Sequence, residues 1–207
     1  MRIIAGSYRS RRLEAPPGLN TRPTSDRLRE TLFNVIAPRI CGAAFLDLYA
    51  GSGAVGIEAL SRGAAGVTFV ERSPAALRVL RRNIEQLRIT GGFAVRAETV
   101  AAFLRWAAKA SPKAESHEVV FLDPPYDAAP EYAATLGLLG GAAHSILNRG
   151  ALVIAEHRRK QSLDERYGSL HRTRLLEQGD AALSFYETAP TAQDRRIEAP
   201  PDRKNRT

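Results

Sequence analysis

The sequence predicts an α/β fold: an open sheet of seven strands, mostly parallel, with helices on both faces, an antiparallel hairpin at its C-terminal edge and a small β arm in front. Three observations lead there. From residue 43 short apolar runs alternate with longer helical ones. The short runs, such as "VTFV" and "VVFL", are rich in Val, Leu and Phe with little polar alternation, the pattern of strands covered on both faces. After about residue 165 two strand-like runs, "SLHRTRLLEQ" and "AALSFYE", flank Gly179 and Asp180, as in a hairpin.

Taken in order, residues 1–20 read as the arm, with β segments "RIIAG" and "RRLEAP" joined by a turn near Gly6 and Ser7 and closed by "PPGLN". Residues 21–187 read as one domain. It opens on a helix in "TSDRLRETLFNVIAP": Thr24, Ser25 or Asp26 can serve as N-cap, Leu28, Leu32, Val35 and Ile36 recur at helical spacing, and Pro38 ends it. Strands follow in "AFLDLY", "VTFVE", "FAVRA", "EVVFLD" and "ALVIAEH", with helices between them in "GAVGIEALSRG", "SPAALRVLRRNIEQLRI", "TVAAFLRWAAKA" and "APEYAATLGLL". Residues 188–207 carry three prolines and no apolar periodicity, and read as a disordered tail.

Composition narrows the function classes. With 44% hydrophobic and 25% charged residues the chain suits one soluble domain, and no window reaches the roughly 18 apolar residues of a membrane span. The start "MRIIAGSYRSRRLEAPPG" lacks the apolar core of a signal peptide, so a cytoplasmic protein is expected. The single cysteine, Cys41, excludes an internal disulfide and a cysteine metal cluster and is expected to be a small buried apolar residue. The formal net charge of +8 favours a polyanionic partner. In the first thirty residues seven arginines face three acids, Glu14, Asp26 and Glu30, so +4 of that charge is at the N-terminus.

"FLDLYAGSGAVGIEAL" places a strand, then Asp47, then Gly51, Ser52 and Gly53, then a helix. Glycines let a backbone turn sharply and approach a ligand, and the amides of the helix start favour electron-rich groups. The next strand ends in Glu71, twenty residues after Gly51, where an acid can accept from both hydroxyls of a ribose. Asp47 suits a cationic ammonium group better than a pyrophosphate. S-adenosylmethionine, with an adenosine end and an amino-acid end, fits both acids.

The fourth strand runs into Asp123, Pro124, Pro125 and Tyr126 at its carboxyl end, where open parallel sheets bind ligands. The Asp123 carboxylate and the Pro124 carbonyl can accept two hydrogen bonds from an exocyclic amine, while Tyr126 stacks on the ring that carries it. Such an amine is a poor nucleophile, and two acceptors stabilise the charge that develops as it attacks. The loop therefore specifies an aromatic amine and nothing narrower.

Together "FLDLYAGSGAVGIEALSRGA" and "VVFLDPPY" resemble the class I S-adenosylmethionine-dependent amino-methyltransferases, with their Rossmann-like fold. "RIIAGSYRSRRLEAPPGLNTRPTSDRLRETLFNVI", "SRGAAGVTFVE" and "GDAALSFYE" extend the resemblance to the RsmD family, over roughly residues 1–187. That resemblance implies methyl transfer to guanine N2 of small-subunit ribosomal RNA, of the guanine(966)-N2 type, with S-adenosylhomocysteine as coproduct and no metal. The partner would be that RNA or an assembling 30S particle, with no membrane and a monomeric enzyme. Carried over by position, Asp47, Tyr49, Gly51, Ser52, Gly53 and Glu71 match the cofactor segments, and Asp123, Pro124, Pro125 and Tyr126 the catalytic loop. Arg22, Pro23, Thr24 and Arg27 match the segment before the first helix, with Arg22 and Thr24 expected at the cofactor and Arg27 at the RNA. The adenine-contacting Asp or Asn usual in the family falls here on Thr99, with Glu98 beside it. Arg9, Arg11 and Arg12 are expected to contact phosphates beside the target base.

Other candidates carry less. The four histidines lack metal-ligand spacing, Phe103 and Trp106 read as core packing, and Arg81 and Arg82 read as a solvated helix face. Two alternatives stay open: an adenine-N6 DNA methyltransferase, which uses the same loop chemistry but for which 207 residues leave no sizeable recognition insertion, and a non-catalytic RNA-binding module.

Overall fold

The computed structural model describes residues 1–15, 25–109, 116–125 and 129–188. Its strands are β1 (Ala44–Leu48), β2 (Gly66–Val70), β3 (Phe93–Arg96), β4 (His117–Leu122), β5 (Leu147–Arg158), β6 (Arg166–Tyr167), β7 (Leu170–Gln178) and β8 (Ala181–Thr188). They form one sheet in the order β3-β2-β1-β4-β5-β8-β7-β6. The ladders among β1 to β5 are parallel, and those joining β5, β8, β7 and β6 are antiparallel. This is the Rossmann-like α/β fold the sequence predicts, with one correction: the sheet has eight strands, not seven. The extra one, β6, is two residues long and too short for any periodicity to reveal. It pairs Arg166 with His171 and Tyr167 with Leu170 across Gly168 and Ser169, so the Gly-Ser dipeptide was its one readable sign.

The helices are α1 (Asp26–Val35), α2 (Ala37–Ile40), α3 (Ala54–Ser61), α4 (Pro74–Gln86), α5 (Val100–Ala107) and α6 (Ala129–Leu139). Three of them, α1, α4 and α5, start at side-chain caps. Ser25 Oγ accepts from Leu28 N at 3.1 Å, Ser73 caps α4 just before Pro74, and Thr99 Oγ1 accepts from Ala102 N at 3.1 Å. Pro38 does not simply end α1. The chain turns at Ile36 and Pro38 falls in the first turn of α2, where a missing N–H costs nothing. Helices α1 to α4 and the arm cover one face of the sheet, and α5 and α6 the other.

The parallel part of the sheet runs from β1 to β2 to β3 toward one edge, then returns to the other side of β1 with β4. A crevice opens where that order reverses, outside the C-terminal ends of β1 and β4. Asp47 and Asp123 therefore come from adjoining strands.

The arm is fastened to this frame. Arg2 and Arg12 form an antiparallel bridge, and Ile3 and Leu13 are buried. Ile4 N and Ala5 N donate to the Glu58 carboxylate at 2.8 and 3.0 Å, and Tyr8 N donates to Ser61 Oγ at 3.0 Å. Asn83 on α4 accepts from Glu14 N at 2.8 Å and donates to the Glu14 and Ser52 carbonyls. Two expectations are corrected here. Cys41 is exposed, because it stands in the turn between α2 and β1 rather than inside either. Phe103 is buried as expected, but Trp106 keeps 45% of its surface, with the Arg96 guanidinium 4.7 Å from its ring centre. No helix of the described residues is long and apolar enough to cross a membrane.

Gly6 has φ +82°, and a Cβ there would lie 1.7 Å from the Ser61 carbonyl oxygen. Gly6→Ala is expected to loosen the arm at a cost of about 1–3 kcal/mol. Urea unfolding would show the loss, and limited trypsin digestion would show faster cleavage at Arg9, Arg11 and Arg12.

Candidate active site

A cavity of about 610 Å³ lies at the reversal of strand order, within the range of small-molecule sites. Its first wall is the turn after β1. Gly51 and Gly53 have φ of +57° and +79°, and Tyr49 adopts +62° despite its side chain. The positive φ at Gly53 favours glycine, and a Cβ there would also lie 2.2 Å from Leu80 Cδ1 and push that side chain of α4 aside.

Asp47 is buried, and its Oδ2 accepts from Gly56 N at 2.9 Å, which ties the strand to the first turn of α3. Burial pushes its carboxyl up to about 7; the Gly56 N–H opposes the rise and the Glu71 charge adds to it. Glu71 spans the gap between two turns: Oε2 accepts from Gly51 N at 2.8 Å and Oε1 from Ser73 N at 2.7 Å. Each of these oxygens retains a lone pair for a further donor.

The Tyr49 hydroxyl turns away to α6, where it donates to Glu131 Oε2 at 2.6 Å and lies 2.7 Å from Thr135 Oγ1. Burial, and then the Glu131 hydrogen bond, raise its pKa. The turn after β1 is thereby joined to the helix that follows the Asp-Pro-Pro loop. Glu98 and Thr99 form another part of the wall, the Thr99 hydroxyl oxygen already serving as the cap of α5.

Asp123, Pro124 and Pro125 complete it. Asp123 is half-buried, and its carboxyl is pushed well above the usual carboxylate range by burial first, then by the charges of Glu156 and Asp47. Tyr126 lies outside the described residues, as do Arg22, Pro23 and Thr24. The arm supplies Met1 and Ala15 to the rim. Arg9, Arg11, Arg12 and Arg27 are exposed. The arm's turn rests on Ser61, at the far end of α3 from the glycine turn, about 12 Å along an eight-residue helix. Arg9 therefore lies toward that far end, while Arg12 stands opposite Arg2 near Met1.

The walls bring together Asp47, Tyr49, Gly51, Ser52, Glu71, Thr99, Asp123, Pro124 and Pro125 from the sequence-predicted set. Glu131 and Met1 were not anticipated. An acid in the first turn of a helix reads as dipole compensation, and nothing marks a first residue as a wall. Among the described lining residues five acids, Asp47, Glu71, Glu98, Asp123 and Glu131, face one arginine, Arg72. The cavity thus favours a cationic ligand in a chain whose net charge is +8.

Comparison with known proteins matches residues 1–187 to the family model described as conserved hypothetical protein 95. YlbH of Bacillus subtilis (strain 168) is 37% identical over 187 residues, covering 90% of this chain and 98% of that protein. The ribosomal RNA small subunit methyltransferase D of Escherichia coli (strain K12) is 46% identical over 126 residues, 61% of this chain and 60% of that protein. Among solved structures, yhhF from Escherichia coli superposes with a TM-score of 0.76 at 34% identity, covering 91% of this chain and 97% of that one.

The Asp47 carboxyl titrates near 7 folded, against about 3.9 unfolded. Its contribution to stability is fully present below the unfolded value and is lost as pH rises through the folded one, on the order of 4 kcal/mol at most. The ligand-free protein is expected to lose stability between about pH 4 and 7, and Asp47→Asn, whose amide oxygen still accepts from Gly56 N, to flatten that slope. Urea titrations at unit pH intervals would measure both.

Proposed function

We infer the activity from one premise: the chain belongs to the family described as conserved hypothetical protein 95, and is an RsmD-like rRNA methyltransferase. The finer reading is methyl transfer from S-adenosylmethionine to the exocyclic N2 of a guanine in small-subunit rRNA, of the guanine(966)-N2 type. The observation that carries the methyl transfer is the acid-lined cavity beside the Asp-Pro-Pro loop in a basic chain, while the choice of guanine rests on the likeness to the small-subunit methyltransferases. A sulfonium and an ammonium are drawn into such a cavity, whereas a polyanion is held on the basic surface around it.

The residues fit this cofactor. Glu71 keeps acceptor capacity for ribose hydroxyls after fixing the Gly51 and Ser73 amides. Asp47 Oδ1 is left for an ammonium once Oδ2 is bound by Gly56 N. Glu98 can accept from an adenine amine, and the Thr99 hydroxyl, having accepted from Ala102 N, can still donate to a ring nitrogen. When bound, S-adenosylmethionine supplies an electrophilic methyl whose C–S electron pair leaves on a neutral sulfur.

The chain's own residues do the rest. The Asp123 carboxylate and the Pro124 carbonyl accept from the two N–H groups of the amine and aim its lone pair at the cavity. Tyr126 is assigned to stack on the base. Arg11, Arg12 and Arg27 hold the RNA backbone, with Arg9 farther along it. An enzyme of this kind acts in the bacterial cytoplasm, as a monomer, on the RNA or the assembling 30S particle.

Labelled cofactor incubated with unmethylated small-subunit RNA, 30S particles or genomic DNA, followed by nucleoside analysis, tests the assignment. N2-methylguanosine is expected; N6-methyladenine would establish the DNA reading, and no transfer the binding-module reading. Asp123→Ala is expected to lower kcat by about 100-fold or more, with cofactor affinity by calorimetry nearly unchanged. Replacing Arg11 and Arg12 with Ala should weaken RNA binding and reduce the slope of log affinity against log salt by about 1.5; filter binding across a salt series would measure it.

A further inference from the structure

Three adjoining strands place carboxylates on one face of the sheet, and one of the three, Glu156, lies behind the cavity rather than in its wall. In the parallel ladder of β4 and β5 the last pair is Leu122 with Ala155. β4 ends at Leu122, and Asp123 follows it directly as Glu156 follows Ala155 on β5, from strands about 4.8 Å apart in the hydrogen-bonding direction. Side chains alternate between faces. Phe121 and Ile154 belong to the core under α1 and α3, and Leu122 and Ala155 to the opposite core, so positions 123 and 156 return to the α1 face. Phe45 on β1 belongs to that same core, which puts Asp47 there as well.

Glu156 is 1% exposed. Its backbone is fixed by the Tyr132 hydroxyl, which donates to its carbonyl at 2.9 Å. Arg29 of α1 is wholly buried on the same face and held by Asp26 at 3.0 Å, Glu58 at 3.7 Å and the Arg2 carbonyl. The Glu156 charge acts on the Arg29 guanidinium on one side and on Asp123 on the other.

Methyl transfer to an amine forms an N–C bond from the nitrogen lone pair, and the positive charge lost by the sulfonium appears on that nitrogen. One N–H proton must then leave. Its nearest acceptor is the Asp123 carboxylate, which becomes a carboxylic acid and returns the proton to water when the product departs. We propose that Glu156 is a positioning residue for this step: buried one strand away on the same face, with Arg29 of α1 packed over that face, its carboxylate sets the surroundings in which Asp123 takes the proton. The proposal rests on the methyltransferase reading. The charged groups around Asp123 are Asp47 from β1, Glu156 from β5 with Arg29 of α1 on the same face, and on the cavity wall Glu71 and Arg72 after β2, Glu98 before α5 and Glu131 of α6. Of these, Glu156 and Asp47 raise its proton affinity.

The sign of the effect is fixed. Asp123 accepts only when ionised, so kcat rises with pH through its titration, and removing the Glu156 charge must move that rise to lower pH. In Glu156→Gln the acid limb of kcat is expected to fall by about one pH unit or more, with a several-fold lower plateau from a weaker base. Glu156→Asp, which keeps the charge, should restore the limb. Carbon-13 NMR of the ligand-free protein gives a second readout, with the Asp123 carboxyl signal identified by its loss in Asp123→Asn. In the wild type that signal should titrate in two steps, as coupled carboxylates do, and in Glu156→Gln in fewer steps and at lower pH. A wild-type signal with one step in the ordinary carboxylate range would overturn the proposal, and so would a limb that stays in place while kcat and Tm fall together. If the wild type transfers no methyl to any substrate, the methyltransferase reading fails, while the NMR titration still decides whether Glu156 acts on Asp123.

Discussion

A carboxylate inside a helix holds the molecule's working parts in register. Glu58 is fully buried on α3, and a buried charge is tolerated only when paired and hydrogen-bonded. Its partners come from three directions: the Ile4 and Ala5 amides of the arm, Arg62 Nε one turn along α3 at 2.8 Å, and Arg29 Nε of α1 at 3.7 Å. Removing Glu58 itself would leave the buried Arg29 guanidinium with one fewer acid and the Ile4 and Ala5 amides without their acceptor. The arm and α1 are therefore fixed to the helix whose other end is the glycine turn. That is why Met1 and Ala15, distant in sequence from Asp123, end up on the rim of the same cavity.

The same economy explains how a basic chain carries an acidic pocket. Acids brought to the C-terminal ends of parallel strands repel one another, and burial makes the repulsion stronger. The protein answers with amides: Gly56 N for Asp47, Gly51 N and Ser73 N for Glu71. Amides stabilise without cancelling charge as a lysine or arginine would, so the pocket stays attractive to a cation while the exposed arginines lie outside it. The raised titration of Asp47 measures how incomplete that compensation is without a ligand.

Much of this was readable in the sequence because it rests on local rules. Buried strands announce themselves by unbroken apolar runs, the first helix start by Ser25 among its cap candidates, and the turn after β1 by glycines whose φ values no other residue adopts cheaply. What escaped depends on contacts between distant segments. Glu58 and Glu156 sit in helical and strand patterns where an acid normally faces solvent, and only the packing of the arm and α1 over that face buries them. Cys41 misled in the other direction: a small apolar residue type said nothing about its place in a turn between elements. β6 escaped because two residues carry no period.

The link between the two loops at the site is also a product of packing, and it bears on how the site acts. Tyr49 holds a positive φ that a tyrosine adopts only at a cost, and its compensation is the pair of contacts its hydroxyl makes with Glu131 and Thr135. Glu131 stands in the first turn of α6, so β4 leads directly into Asp123, Pro124 and Pro125 while a side chain from the glycine turn is bonded to the helix that comes after them. On the opposite side Glu71 holds Gly51 to the start of α4. The groups assigned to the cofactor and those assigned to the amine are thus built into one frame. Methyl transfer needs donor and acceptor within a few tenths of an ångström of alignment, and a frame of side-chain bonds across three loops supplies that more reliably than any loop could alone.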